Sequence, residues 1–393
     1  VVAWSKGQRR VRSDYSRRQA WNCDNTMFIM TTSDGYWQTY DNRTLKLIAT
    51  MPAQMGGDAE PVWHPNKPDV LFHVPQNGVG MKLIERNART GAEIRTTEIG
   101  PLLTAIWPEA FNCWSKSEGA PSLDCRYWCW IVQKKGFIPL GAVVYDRVEH
   151  KIIGKIDIPE NHMPDHSSMS PSGKYATISW AYQPGWDTRA YTRNMKDVHP
   201  ASKSGLPYII INTASEHSDL GQLENGQDVY VSGNYTGNSR LFMVNLETGE
   251  ETNFMSLYGQ STATAYHVSC RNSRVPGWCV VSFYNDYLDN HDNEQRNKPA
   301  MQWFHRKIFA MELKQNGKMI PLAWADSVRR TFWGDDAYWT EPQATVNREM
   351  TRIMFQSTMN VVDWKATETY MLAMPEGLFG RIVPGVTAEE PHV

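Results

Sequence analysis

The sequence predicts an all-β fold, a seven-bladed β-propeller formed by a single domain over residues 1–393. Short stretches rich in β-branched and aromatic residues recur along the chain and are bounded by Gly, Pro, Asn or Asp, whereas few stretches have the apolar period of an amphipathic helix. The stretches fall into about seven units of roughly 50 residues, a typical length for a propeller blade with loop insertions. A closed ring also hides the sheet edges that so many strands would otherwise expose.

Each unit begins with polar residues and continues as strand, turn, apolar strand, turn and third strand. The clearest strand signals, in chain order, are 26–32, 69–74, 127–132, 175–180, 208–212, 277–283 and 352–357. The predicted blades span roughly residues 15–50, 58–97, 107–158, 164–212, 216–255, 266–325 and 340–375, and the sixth carries an insertion at about 285–300. A pair of β-sandwich domains is the competing architecture, and the absence of a Pro/Ser/Gly-rich linker in the sequence disfavours it.

Composition argues against two classes of partner. Forty Lys and Arg against 42 Asp and Glu give a net charge of -2, so we expect no nucleic-acid partner. Mean hydropathy is -0.52, and no apolar run approaches the ~20 residues of a membrane helix, so we expect no membrane association. Sixteen Trp and 17 Tyr are many for a polar chain. Flat rings cover the apolar face of a sugar, so these residues serve either glycan binding or packing between sheets.

The cysteines leave the redox compartment open. Six cysteines are too few for a disulfide scaffold in a chain of 393 residues. Cys113 and Cys125 bracket a loop and Cys270 and Cys279 bracket a turn, so each pair could form a disulfide in an exported protein; free buried thiols are the alternative. The sequence starts at Val1 and shows no signal peptide, which we interpret as a mature or trimmed form.

Three consecutive repeats begin with a histidine, namely His166, His217 and His267. In a propeller the innermost strand of each blade starts on one face near the axis, so residues far apart in sequence meet there. We therefore expect a shared funnel. Its predicted members are Arg17, Arg18, Gln19, Asp58 or Glu60, His166, His217 with Asp219, Tyr266 with His267, and Glu341 with Gln343.

Such a cluster has two chemical interpretations. Several imidazoles and an amide oxygen suit a divalent cation such as Mn²⁺, Zn²⁺ or Ca²⁺. Without a metal, the same groups form a cationic pocket that handles protons near neutral pH. A single histidine at a blade junction is most simply a structural residue, but recurrence at equivalent positions favours a functional site.

The chain resembles the β-propeller polysaccharide lyases. The resemblance rests on the blade pattern with the segment 167–174 (Ser-Ser-Met-Ser-Pro-Ser-Gly-Lys), on the strand-start histidines and on Gln343, and it covers nearly the whole chain. Oligogalacturonate lyases hold a divalent metal with three His and one Gln, although their ligands cluster late in the chain. That resemblance implies a Mn²⁺, Ca²⁺ or Zn²⁺ site formed by His166, His217, His267 and Gln343. Ulvan lyases and propeller enzymes acting on rhamnose–glucuronate linkages are similar in fold and use His, Tyr and Arg without a catalytic metal.

The resemblance implies a monomeric, secreted or periplasmic enzyme that cleaves an acidic, ulvan-like polysaccharide by β-elimination at a uronic acid. An Arg or a metal neutralises the carboxylate, a base removes the C5 proton, and an acid protonates the leaving oxygen. In this sequence Arg17 or Arg18 would neutralise the carboxylate, His217 or His166 would be the base, and Tyr266 the acid.

Three other functions stay open at the level of sequence. One is oligogalacturonate lyase activity. Another is a propeller glycoside hydrolase on the same glycans, for which adjacent carboxylates such as Asp335 and Asp336 are candidates. The third is a glycan-binding propeller without catalysis, which the recurring histidines disfavour.

Overall fold

Seven four-stranded antiparallel sheets make up the described part of the chain, so the predicted all-β, seven-bladed β-propeller is confirmed. The computed structural model describes residues 2–3, 11–117, 119–181, 186–237, 239–257, 265–284, 302–327, 338, 340–359, 361 and 364–391. The predicted insertion at 285–300 and the Asp335–Asp336 pair lie outside these residues. No helix within the described residues has the length and hydropathy needed to cross a bilayer.

The strands follow the chain around the ring. The first three sheets contain β2 (Val11–Arg12), β3 (Met27–Thr32), β4 (Trp37–Asp41) and β5 (Leu47–Thr50); β6 (Val62–Trp63), β7 (Val70–His73), β8 (Lys82–Asn87) and β9 (Glu93–Glu98); and β10 (Ala110–Trp114), β11 (Tyr127–Lys134), β12 (Ile138–Asp146) and β13 (Lys151–Asp157). The fourth and fifth contain β14 (Pro164–Met169), β15 (Tyr175–Trp180), β16 (Thr188–Thr192) and β17 (Tyr208–Asn212); and β18 (Ser218–Gln222), β19 (Asp228–Asn234), β20 (Arg240–Asn245) and β21 (Glu251–Ser256). The last two contain β22 (Ala265–Ser269), β23 (Trp278–Tyr284), β24 (Lys307–Glu312) and β25 (Met319–Trp324); and β26 (Thr345–Val346), β27 (Arg352–Ser357), β28 (Glu368–Ala373) and β1 (Val2–Ala3). A short helix, α1 (Gly100–Thr104), connects the second and third sheets.

Strand β1 closes the ring. It pairs with β28, with Val2 opposite Met371, so a segment before the first sheet supplies the outer strand of the seventh. The sequence repeats begin only after this segment and did not predict the exchange. This pairing ties the start of the chain to its last sheet, with β1 as the outer edge strand.

The core lies between the sheets. Each of seven hydrophobic clusters joins one sheet to the next, and one of them contains both Phe28 of the first sheet and Met354 of the seventh. Strands β3, β15 and β23 are buried along their whole length because neighbouring sheets cover both of their faces. The outer strands β13 and β21 are only partly buried and present charged residues to solvent.

A recurring turn joins the third and fourth strands. In it an Asp or Asn side chain accepts hydrogen bonds from the backbone N–H groups two and three residues later, which stabilises a tight reversal. The turn residues are Asp41, Asn87, Asp146 and Asn245. A shift of register between the third and fourth strands follows in six sheets of the described chain. Such bulges twist the outer strands and make them poor templates for pairing with other chains.

Candidate active site

Side chains from four sheets converge where the inner strands begin. Arg17 Nη1 lies 2.6 Å from His166 Nε2. Tyr15 Oη lies 2.7 Å from His217 Nδ1, and the rings of His217 and His267 are 4.3 Å apart. The structure therefore brings together Arg17, His166, His217 and His267, although 250 residues separate the first from the last in the sequence.

His217 sits between two tyrosine hydroxyls. Its Nδ1 is 2.7 Å from Tyr15 Oη and its Nε2 is 3.2 Å from Tyr284 Oη. A neutral imidazole has one N–H and one lone pair, so one tyrosine donates to His217 and the other accepts from it. The three side chains form a hydrogen-bonded relay in which His217 links two phenols.

His267 holds this relay in place. It is fully buried and stacks on Tyr284 at 4.9 Å with an interplanar angle of 16°. It also meets Tyr15 edge-on at 5.3 Å, and its Nε2 lies 3.5 Å from Glu341 Oε2. Because His267 packs against both phenols, it fixes their orientation around His217.

The second half of the site is an Arg17–His166–Asp165 chain. Arg17 donates to His166 Nε2 at 2.6 Å, and His166 Nδ1 lies 3.2 Å from Asp165 Oδ2. Burial by itself raises the pKa of Asp165, but the hydrogen bond from His166 and the positive charges of Lys116 and Arg17 outweigh it. The pKa of Asp165 therefore lies well below its usual range, and the carboxylate stays ionised beside this cationic group.

Glu216, the residue before His217, behaves in the opposite way. Burial raises the pKa of its carboxyl from an ordinary 4.5 to about 7. Near neutral pH this group is therefore a mixture of acid and carboxylate, which is the protonation range of a general acid.

Strained backbone surrounds the site. Four non-glycine residues have left-handed φ angles: Glu60 at 53°, Lys116 at 59°, Ser117 at 74° and Gln343 at 42°. Each such angle costs free energy that the surrounding packing must offset, and residues of this kind concentrate at functional sites. Gln343 is fully buried, and its side chain lies beside the Tyr338 hydroxyl.

Arg18 supports the loop around residue 117 rather than the relay. It donates to Asp14 Oδ2 at 2.9 Å and to the Ser117 carbonyl at 2.5 Å. Buried Glu60 accepts three hydrogen bonds from the same loop: two from Ser115, through its backbone N–H and its hydroxyl, and one from the Ser117 N–H. One cation, Arg18, and one carboxylate, Glu60, therefore hold the backbone of this loop.

Two further predicted funnel residues lie deeper along the axis. Gln19 donates to the Arg271 carbonyl at 2.9 Å. Asp219 forms a two-point ion pair with Arg271, with distances of 3.0 and 2.5 Å. Both residues tie neighbouring inner strands together and do not face the histidines.

Tyr266 does not face the relay, which is a correction to its predicted role as the acid. It is fully buried, donates to the His217 carbonyl at 2.8 Å and accepts from the Gly233 N–H. Burial raises the pKa of this phenol well above its ordinary value. Neighbours on a strand point to opposite faces, so Tyr266 turns away when His267 turns inward.

Tyr15 and Tyr284, which the sequence reasoning missed, occupy the positions beside His217. Tyr15 lies two residues before Arg17, in a turn that the Arg18 N–H closes by donating to the Tyr15 carbonyl at 3.0 Å. Tyr284 ends the second strand of the sixth sheet, opposite Ala265. Only the pairing of β22 with β23 carries it to the site.

The predicted metal ligands do not fit a resident cation in this arrangement. Both ring nitrogens of His217 face tyrosine hydroxyls, and those of His166 face Arg17 and Asp165. A metal needs the unshared lone pair of a neutral imidazole, and a guanidinium 2.6 Å from a ring nitrogen repels a dication. Among the described residues no group of three or more His, Cys, Asp or Glu could hold a metal ion.

The cysteines form no disulfide. Cys113, Cys125, Cys129, Cys270 and Cys279 are buried free thiols and Cys23 is a half-buried one. Burial raises the pKa of the Cys125 and Cys129 thiols to about 12, so these groups are unreactive near neutral pH.

No family model and no curated protein matches the sequence. Solved structures do match. An oligogalacturonate lyase in complex with manganese has a TM-score of 0.58 and 15% identity, with 94% of this chain and 91% of that chain covered. An oligogalacturonate lyase from Vibrio parahaemolyticus has a TM-score of 0.53 and 12% identity, with 94% and 92% covered. At these identities the similarity establishes the propeller fold.

Proposed function

We propose that this protein is a polysaccharide lyase that cleaves a uronic-acid-containing glycan by β-elimination. The observation that carries the proposal is the cluster of Arg17, His166, His217, Tyr15 and Tyr284 at the start of the inner strands. The similarity in fold to oligogalacturonate lyases is consistent with this reaction class. A secreted or periplasmic location and a monomeric state are part of the same proposal.

Arg17 supplies the positive charge that the reaction requires. The C5 proton of a uronate is weakly acidic until the adjacent carboxylate is neutralised, because negative charge develops on that group in the transition state. A guanidinium binds a carboxylate in a planar, charge-assisted manner. Arg17 is buried, and His166 and Asp165 hold it from one side, so its charge acts in a site with little water to screen it.

The relay centred on His217 moves the protons. One phenol passes its proton to His217 and removes the C5 proton of the substrate, and the C4–O bond then breaks. The first phenol is restored by the C5 proton that it takes up. The other phenol donates its proton to the departing oxygen, and His217 then passes the proton it received to that second phenolate, which regenerates the neutral imidazole. Tyr15 and Tyr284 are the two candidates for these steps, because both lie within hydrogen-bonding distance of His217.

The arrangement favours a glucuronate substrate, in a rhamnose–glucuronate polysaccharide of the ulvan type, over a galacturonate. In a glucuronate the C5 hydrogen and the C4 oxygen lie on the same ring face, whereas in a galacturonate they lie on opposite faces. Both phenols of the relay belong to one imidazole. A base and an acid on the same side of the substrate suit the glucuronate, in which the C5 hydrogen and the C4 oxygen lie on one ring face.

A divalent metal is not needed for this reaction. In the metal-dependent alternative a cation would neutralise the carboxylate, whereas here Arg17 lies at the site and both ring nitrogens of His166 and His217 face protein groups. We therefore expect chelators to leave the activity unchanged. A catalytic metal held by His166, His217, His267 and Gln343, the ligand set that the sequence suggested, would instead make the activity sensitive to chelators.

A glycoside hydrolase is the second candidate, and one observation favours it. Two carboxyl groups flank the histidines, and their surroundings move their pKa values apart: that of Asp165 falls and that of Glu216 rises to about 7. Such a pair can act as ionised base and protonated acid. Asp165 Oδ2 lies 3.2 Å from His166 Nδ1 and 3.2 Å from the Ser215 hydroxyl, so its first role is to orient the imidazole.

A screen of acidic polysaccharides tests the proposal. Rhamnose–glucuronate polymers, polygalacturonate and neutral controls are incubated with the protein, with and without a chelator, and ultraviolet absorbance follows the C4–C5 double bond. We expect absorbance to rise with the glucuronate polymer in both conditions. Cleavage without absorbance would indicate the hydrolase, loss of activity with chelator would indicate a metal, and no cleavage of any acidic polymer would refute the lyase proposal.

A further inference from the structure

A second cavity lies on the axis, at the opposite ends of the inner strands from the histidines. Its volume is about 310 Å³. Residues that follow the inner strands line it, among them Asn66, Pro171, Gln222 and Asn272. It therefore opens toward the other face of the propeller and shares only Arg17 with the candidate active site.

The cavity wall is rich in guanidinium groups. Five arginines line it and no Asp or Glu among the described residues does; they are Arg17, Arg18, Arg271, Arg274 and Arg348. Four of them are held by specific partners. Arg17 reaches His166, Arg18 pairs with Asp14, Arg271 with Asp219 and Arg274 with Glu349.

Arg348 differs from the other four. Its Nη1 donates to the carbonyls of Trp21 and Asn22, at 2.7 and 2.9 Å. Its Nε and Nη2 donate to no protein group, and no carboxylate lies within 4.0 Å of it, in the part of the chain that the structure describes. Burial lowers the pKa of this guanidinium, and the side chain is half-buried at the cavity wall.

The two thiols near Arg348 do not neutralise it. Burial raises the pKa of Cys23 and raises that of Cys125 to about 12, so both stay protonated near neutral pH. Glu349 is committed to Arg274 at 2.7 Å. A half-buried guanidinium with unused N–H groups is a suitable partner for a small anion in the cavity.

We propose that this axial cavity is a binding site for an oxyanion, the phosphate or carboxylate group of a ligand no larger than a monosaccharide, with Arg348 as its principal contact. The guanidinium presents a planar edge that matches either group. Arg271 and Arg274 add positive charge from the cavity wall. The site does not depend on lyase activity, so its test and that of the proposed function are separate.

A chain segment forms the outer wall of the cavity. Residues 385–387 line it. Arg274 and Val383 exchange backbone and side-chain hydrogen bonds at one end of the segment, and Glu390 contacts His64 and Lys67 at 2.9 and 2.8 Å at the other. Buried Arg147 also donates to the Glu389 carbonyl, so these contacts hold the segment in place as the outer wall.

Thermal unfolding of the full chain tests the proposal, with inorganic phosphate and D-glucuronate as probes against chloride at equal ionic strength. We expect a saturable stabilisation by at least one anion, because a ligand of the folded state raises its stability. Arg348→Gln should weaken the affinity for that anion at least tenfold, and Arg348→Lys should weaken it less. Arg352→Gln, a control at the start of β27 outside the cavity, should leave it unchanged. No saturable effect of either anion, or equal affinity in Arg348→Gln, would overturn the site.

Alkylation of Cys23 gives a test in the unaltered protein, which remains valid if the arginine variants fold poorly. Cys23 lines the cavity and is the only cysteine that is not buried. We expect a saturating concentration of the bound anion to slow its reaction with a maleimide at least fivefold, as followed by peptide mass spectrometry. An unchanged rate at saturation would place the anion elsewhere.

Discussion

At the scale of single residues, the proposed mechanism depends on His217. Both of its nitrogens face phenols, and no other histidine in the described chain has this environment. His217→Asn keeps a polar side chain but breaks the relay, so we expect kcat to fall by roughly 10²- to 10⁴-fold, the range of general acid–base catalysis. Initial rates of double-bond formation measure it.

A matched histidine serves as the control for this substitution. His150 is exposed and has a left-handed φ of 47°, a conformation that asparagine tolerates. His150→Asn should retain full activity. Equal rates in the His217 and His150 variants would remove His217 from the mechanism.

Glu216 gives a prediction about pH. The folded state binds its proton more tightly than the unfolded chain does, so stability is highest at acidic pH, falls as the pH rises from 4.5 towards 7, and levels off above that. Partial exposure limits the effect to roughly 1–3 kcal/mol. Denaturant unfolding at about pH 5 and pH 8 should show a larger loss in the natural protein than in Glu216→Gln. An identical pH dependence in the two proteins would contradict a buried, protonated Glu216.

At the scale of elements, β19 and β22 approach closely at Gly233. A Cβ at this position would lie 2.6 Å from the Tyr266 ring, which is too close for the two strands to keep their spacing. Gly233→Ala should therefore cost about 1–3 kcal/mol in the free energy of unfolding. Gly100→Ala, whose nearest contact would be an ordinary 3.5 Å from Met81, is the control and should change stability little. Equal stabilities of the two variants would show that Tyr266 does not set this spacing.

Trp186 is a candidate sugar platform. It is 63% exposed and lies between β15 and β16, at the end of the fourth sheet that holds His166. Trp186→Ala should raise KM for the polymer roughly three- to tenfold, equivalent to about 1 kcal/mol of lost stacking, with kcat unchanged. Trp324→Ala removes an equally large exposed ring, 54% exposed, on outer strand β25 and should change neither parameter. A fall in kcat, or no change in KM, would exclude the platform.

The repeats predicted the elements and part of the site. His166, His217 and His267 begin equivalent strands, so their convergence follows from the ring. Tyr284 could not be found in this way, because it ends a second strand and reaches His217 only through the register of β22 with β23. The alternation of side chains along a strand, in contrast, is a sequence signal that Tyr266 and His267 face opposite sides, and the prediction that placed both in the funnel did not use it. The sequence carried no signal for β1, whose partner strand is more than 360 residues away.

At the scale of the whole molecule, the ring separates two kinds of site along one axis. The inner strands begin at the histidine–tyrosine relay and end at the arginine-lined cavity, with Arg17 and Arg18 lining the passage between. Strands that are buried on both faces position these groups, so both sites rest on the same rigid core.

Mass balance of the products is the most direct measurement of the reaction. A defined glucuronate-containing oligosaccharide is cleaved and every fragment is weighed by mass spectrometry. Elimination breaks the C4–O bond without adding water, so we predict fragments whose masses sum to that of the substrate, one of them carrying the double bond, and loss of both fragments in His217→Asn. Fragments that together weigh one water more than the substrate would contradict β-elimination and assign the site to hydrolysis.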